Sequence, residues 1–260
     1  MTLAPEEIKS CCASAYGTAA ARFLLGDSFH PGGARMTSRL VQSLGVGRGD
    51  TVVDVASGPG TSALQLARET GCSVIGIDLS EESVAAAERA AQAAGLRERV
   101  RFAVGDAEAL ALDDSSVDGA LCECALCTFP DKHAAARELA RVLRREARLG
   151  LSDVVAVPER LPPELRSLQA RVACIADARP LADVVSLLEA NDFVVEELEQ
   201  HDAELAALLD RIDLRLGFAR LVGPADAGNA LQRGRQLLRA ARAALADGVL
   251  GYAVVVARRQ

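Results

Sequence analysis

The sequence has no tryptophan, only two tyrosines, and aromatic residues at 3% of its 260 positions. With so few rings available, alanine and leucine must fill the core. Positive charge is also in deficit: 29 Lys and Arg stand against 36 Asp and Glu, a formal net charge of −7. That balance argues against sequence-independent binding to nucleic acid, which needs cations to neutralise phosphates. No run of about 18 uninterrupted apolar residues occurs, as a membrane span would need. The opening "MTLAPEEIKS" has no basic stretch followed by an apolar one, so the expected location is cytoplasmic. Seven cysteines are an odd number without the spacing of a secreted framework, which predicts free thiols in a reducing compartment.

What is present is length enough for one large α/β domain. Seven short apolar runs recur: "TVVDVA" (51–56), "CSVIGID" (72–78), "RVRFAV" (99–104), "VDGALC" (117–122), "RLGLSDVV" (148–155), "FVVEELE" (193–199) and "LGYAVVVAR" (250–258). Between the early ones lie segments with helical spacing, "TSALQLARET" (61–70), "SEESVAAAERAAQAAG" (80–95) and "KHAAARELARVLRR" (132–145). This alternation predicts an α/β fold with a parallel sheet and crossover helices. Ser80 ahead of two glutamates, and Gly95 behind, set the limits of one helix. After residue 155 the alternation stops. Residues 158–179 then read as a helical insertion, and 202–222 and 225–247 as two more helices. The expected organisation is an N-terminal helical lid segment, 1–40, and a main domain, 41–260, with the insertion near 158–180. No motif fixes an oligomeric state.

Chemistry gathers at successive strand ends. The first strand leads through Asp54 into "DVASGPG", where Gly58 and Gly60 allow a sharp turn and close approach of a ligand to the backbone. The second ends in Asp78, placed to accept hydrogen bonds from two ribose hydroxyls, with Leu79 beside it. The third is followed by "VGDAEAL", with Asp106 where an acid meets an adenine amino group. Any one of these carboxylates alone reads as a helix cap or a loop acid. Three in succession read as a nucleoside site.

"DVASGPG", "GIDLS", "GDAEAL" and "FPDKHAAARELARVLR" resemble the class I S-adenosylmethionine-dependent methyltransferases over residues 45–155. The resemblance implies a seven-stranded, mostly parallel, Rossmann-like sheet with helices on both faces and an antiparallel last strand near 250–258. It implies S-adenosylmethionine as cofactor: Asp54, Ala56, Ser57 and Gly58 to Gly60 at the methionine end, Asp78 at the ribose, Asp106, Ala107 and Glu108 at the adenine. Tyr16 is expected to pack over the cofactor, as N-terminal segments do in this fold. The sequence departs from the pattern at Ala56, where a glycine is usual, and at "RREA" (144–147), where a Pro-Gly-Gly turn is common.

The stretch "CECALCTFPDK" packs Cys122, Cys124 and Cys127 at the carboxyl end of the fourth strand, where such sheets bind ligands. Cys122 is read as facing the cofactor through its backbone or sitting in the core. Sulfur near a transferred methyl points to a soft acceptor. Cys124, ahead of "TFPDK", and Cys174, in "VACIADARPLADVV", are similar in setting to two cysteines of the arsenite methyltransferases. That resemblance implies As(III) held between thiolates, with a third from Cys11, Cys12 or Cys127. The acceptor is thus expected to be a small molecule or metalloid. Methylation of a sulfide or small thiol, for which His30 or Glu123 would handle the proton, or of another small metabolite is the alternative; a third reading is a binder that sequesters or senses thiophilic ions without catalysis. Cys72 reads as structural, His133 and His201 as solvated helix positions. "CALC" lacks the context of a redox pair or a zinc site.

Overall fold

The computed structural model describes residues 4–16, 18–26, 28–167, 170–171, 173–222 and 228–260. Three helices come first: α1 (Pro5–Tyr16), α2 (Ala19–Leu25) and α3 (Gly33–Leu44). Then strands and helices alternate as β1 (Thr51–Val55), α4 (Thr61–Thr70), β2 (Ser73–Asp78), α5 (Glu81–Ala93), β3 (Val100–Val104), β4 (Val117–Glu123), α6 (Lys132–Val142) and β5 (Leu143–Ala156). The chain ends in α7 (Leu181–Glu189), β6 (Phe193–Gln200), α8 (Asp202–Val222), α9 (Gly228–Ala246) and β7 (Leu250–Arg259).

The strands form one sheet in the order β3-β2-β1-β4-β5-β7-β6. The first five are parallel, and β7 runs antiparallel to both β5 and β6. Chain order reverses between β1 and β4, which opens a crevice at their carboxyl ends. The buried run Val52–Val55 explains why β1 lies centrally, covered on both faces. On one face α6 and α7 pack through Leu139, Leu187 and Leu188; on the other α3, α8 and α9 do so through Leu40, Leu205 and Leu238. α3 crosses residue 40, and Leu40 and Leu44 lie where Gly150 of β5 leaves room for them.

Within the insertion the described residues include two short 3-10 turns, Pro158–Arg160 and Pro163–Arg166, and helical backbone at 170 and 171; 168, 169 and 172 lie outside them. Pro158, Pro162 and Pro163 remove backbone donors and keep the entry to it in short turns. One sequence expectation needs correction. The helix expected over 132–145 ends at Val142, because Leu143 already pairs with Val117 as the start of β5. "RREA" is therefore strand, with Glu146 at φ 66° and an irregular register against β4 marking the missing turn.

Candidate active site

The loop after β1 forms the floor of a cavity of about 1080 Å3, its mouth included, at the switch point. Ala56 is held at φ 59°, the left-handed region that explains why glycine is usual there. Gly60 sits at φ 83°, and a Cβ on it would lie 2.5 Å from Phe102, so this position admits only glycine. The Gly58 amide donates to Asp78 at 2.8 Å, and the Ser80 amide donates to its other oxygen at 2.8 Å. Burial raises the Asp78 pKa. Burial first, then the charges of Glu123 and Asp78, pushes Asp54 well above the usual carboxylate range. Asp54 Oδ2 and Ser57 Oγ are buried with no hydrogen-bond partner.

The N-terminal helix closes the adenine side. Lys9 bonds Asp106 at 2.7 Å and Glu108 at 2.6 Å, with only 11% of its side chain exposed. Burial opposes its charge, but the two carboxylates outweigh that and raise its pKa. Lys9, Cys12, Ala13 and Tyr16 share one helical face and all line the cavity. Asp54, Ala56, Ser57, Gly58, Asp78, Leu79, Asp106, Ala107, Glu108 and Cys124 line it as well. Lys9 escaped sequence reading, because a lone lysine on an N-terminal helix carries no motif.

At the far end, sulfur converges. The Cys174 sulfur lies 3.2 Å from the Tyr16 hydroxyl and 3.3 Å from the Cys124 carbonyl oxygen. The thiols of Cys124 and Cys127, with the Tyr16 hydroxyl, donate to Cys174 and pull it well below the ordinary thiol range, against the effect of burial. The bond to Cys174 and burial push Cys124 up, while burial and then the bond to Cys174 push Cys127 up. Of the three sulfurs, Cys174 is the one whose surroundings favour ionisation; protonated, its Sγ donates to the Cys124 carbonyl oxygen. Both Cys124 (φ 53°) and Cys174 (φ 62°) have left-handed backbones, a strain that non-glycine residues bear where surrounding structure fixes them. The Cys124 amide is tied to the Ser152 carbonyl at 2.6 Å and the Cys127 amide to Asp153 at 2.7 Å. Lys132 anchors the Cys174 loop, bonding Asp177 at 3.1 Å and the carbonyls of Cys127 and Phe129.

Cys12 faces the cavity, its pKa pushed up to about 11 by burial and the neighbouring Cys174. Cys11 does not line it. The Cys122 side chain is fully buried in the core cluster that also holds Leu126 and Val255, in line with the core alternative. Strand alternation is the reason: Glu123 takes the cavity side instead. Cys72 is likewise buried. His133 is exposed, whereas His201 precedes α8 and pairs with Glu199 at 2.7 Å. Asp153 is the acid that sequence reading missed, because in "GLSDVVA" it reads as an ordinary strand residue. It is buried, and its pKa is raised to about 7, by burial first and then by Cys174. Among the described residues no preformed metal cluster occurs, and no helix is long and apolar enough to cross a membrane.

S-adenosylmethionine carries an ammonium and a sulfonium besides its nucleoside. The residues present fit it: Asp54 and Glu123 crowd acid into the methionine end, Asp54 keeps an unmet acceptor there, and among the described residues Lys9 is the one Lys or Arg lining the cavity, bound to the acids of the adenine end.

Residues 47–207 match the methyltransferase domain family. The chain is 37% identical over 129 residues to methyltransferase GfsG of Streptomyces halstedii, covering 50% of this chain and 46% of that protein. It is 30% identical over 167 residues to an arsenite methyltransferase of Halobacterium salinarum, covering 62% and 42%. The solved structure of the [4+2]-cyclase SpnF superposes with a TM-score of 0.73 at 26% identity, over 87% of this chain and 81% of that one. The chain spans about half the length of the first curated relatives it matches. With a match over more than half its residues, a β3-β2-β1-β4-β5-β7-β6 sheet and an acid at three successive strand ends, the chain belongs to the methyltransferase domain family, in its S-adenosylmethionine-dependent class I.

Proposed function

We propose that the protein transfers a methyl group to a soft acceptor held by cysteine sulfur, As(III) foremost. The observation that carries this is the position of Cys174 behind the cavity wall, its sulfur 3.2 Å from the Tyr16 hydroxyl and 3.3 Å from the Cys124 carbonyl oxygen, both residues lining the cavity, with its surroundings favouring the thiolate. A buried packing cluster has no use for an ionised sulfur, since charge in an apolar setting is costly. A thiophilic ligand does, because thiolate is the form that binds. Cys127 is the third ligand this arrangement favours, and Cys12, which lines the cavity and feels the charge of Cys174, is the alternative.

When bound, S-adenosylmethionine supplies an electrophilic methyl on a positively charged sulfur. Asp54 and Ser57 would hold the methionine end, Asp78 the ribose, Asp106 and Glu108 the adenine side. Cys174 as thiolate displaces one hydroxide from As(OH)3, which takes its proton from solvent, and the protons of Cys124 and Cys127 leave with the other two hydroxides as water. Thiolate-bound As(III) keeps its lone pair, so no proton need leave it during methyl transfer. The protein's contribution is position, holding lone pair and methyl in line and away from water. Residues 1–40 would act as the lid, since α1 walls the cavity from Lys9 to Tyr16.

Titrating the purified, reduced protein with arsenite tests this through the ultraviolet absorbance of the sulfur to arsenic bond. A 1:1 endpoint that Cys174→Ser abolishes, and that Cys124→Ser or Cys127→Ser weakens, is expected. Equal absorbance in parent and Cys174→Ser would reject the reading.

A further inference from the structure

Next to the sulfur centre, the cavity wall holds a buried imidazole that As(III) chemistry does not use. His30 lies in the loop before α3, 5% exposed and lining the cavity. Its Nδ1 is 3.1 Å from the Pro31 carbonyl oxygen. A carbonyl can only accept, so Nδ1 carries the proton and Nε2 presents a lone pair. Nε2 is 3.6 Å from a Glu123 carboxylate oxygen and 3.4 Å from the Thr37 hydroxyl. Thr37 has one proton to give, and both Glu123 oxygens lie closer to it, at 3.2 and 3.1 Å. In the neutral ring the Nε2 lone pair is then unmet, and the Glu123 carboxylate beside it would pair with the imidazolium that a proton from an acceptor forms. Glu123 adjoins Cys124, and both line the cavity with His30.

We propose that the same pocket has a second activity, methylation of a small protic thiol, with His30 as general base and Glu123 as the residue that steadies its charged form. A thiol gives up its proton to an imidazole far more readily than an alkyl alcohol does. Phe29, Cys124 and Ala125 line the same cavity as His30 and give it soft and apolar surface that suits a thiol. In the step, the S–H bond of the acceptor breaks and its proton goes to His30 Nε2. The sulfur electron pair forms the new S–CH3 bond, and the bond from the methyl to the sulfonium breaks, its electrons staying on the departing sulfur as a neutral thioether. His30 then returns the proton to water. The inference depends on the methyl donor but not on arsenic binding.

Two acceptors of different acidity test it. 2-Mercaptoethanol needs a base, whereas 4-nitrothiophenol is already ionised at neutral pH. The parent should yield S-methyl product from both. His30→Gln should lower the rate with 2-mercaptoethanol about 100-fold and leave most of the rate with 4-nitrothiophenol. Equal losses with the two acceptors, or no S-methyl product from the parent, would overturn the proposal. A second readout needs no turnover: nitrogen NMR of the cofactor-free protein should show the neutral His30 ring protonated at Nδ1, and a ring protonated at Nε2 would equally overturn it.

Discussion

The Tyr16 hydroxyl lies 3.2 Å from the Cys174 sulfur, joining the N-terminal helix to a loop 158 residues further on. Through this bond α1 both walls the cofactor cavity and helps set the charge of the sulfur centre. Removing the donor by Tyr16→Phe leaves Cys174 with two of its three donors, so less of it is thiolate near neutrality. Alkylation of Cys174 by iodoacetamide at pH 7.5, resolved by peptide mass spectrometry, should slow about tenfold. An unchanged rate would show that Tyr16 does not serve the sulfur.

Lys9 holds the other end of the same helix to Asp106 and Glu108. Lys9→Met leaves two carboxylates without their cation and α1 without its anchor. Amide hydrogen exchange within residues 5–16 should rise about tenfold while exchange in the central strands stays as it was. Uniform exchange across α1 in parent and variant would contradict the anchoring role.

The buried Asp153 makes stability depend on pH in a direction opposite to most acids. Its folded pKa of about 7 exceeds the unfolded value, so between pH 4 and pH 7 the folded state keeps a proton that the unfolded chain gives up. Its contribution therefore falls as pH rises through that window, and the loss is complete above it. Asp153→Asn should remove this slope, changing the stability difference between pH 4 and pH 8 by on the order of a few kcal/mol. Urea unfolding at a series of pH values reads it, and parallel pH profiles for parent and variant would contradict it.

Gly60 tests the floor of the cavity. At φ 83°, with Phe102 and Ala87 in the way of any Cβ, Gly60→Ala combines left-handed strain with overpacking. A loss of about 2–4 kcal/mol is expected from those two costs, measurable by thermal or denaturant unfolding. A neutral substitution would mean the loop is far more plastic than its contacts allow.

How far the sequence could be read followed from which features are local. Asp54, Asp78 and Asp106 were legible because each ends a strand at the pace of the alternation, and the fold brings strand ends together. Cys124 and Cys174 were legible through their flanks. Cys127 as the neighbour of Cys174 was not, since that depends on where a loop 47 residues downstream returns. Lys9 and Asp153 carry no motif, and only tertiary contact turns a surface lysine into an anchor or a strand acid into a buried proton store. The helix expected over 132–145 was read too long because nothing local shows that Leu143 pairs with Val117 as the start of β5.

Kinship does not by itself settle chemistry here, because one related structure is of a cyclase. The deciding measurement is mass spectrometry of arsenic species after incubating the protein with arsenite, a reduced thiol and S-adenosylmethionine labelled in its methyl group. Labelled methylarsenic from the parent, absent with Cys174→Ser and Cys124→Ser, is the predicted result. Absence of labelled methylarsenic from the parent, with the cofactor shown to bind, would contradict methyl transfer to arsenic.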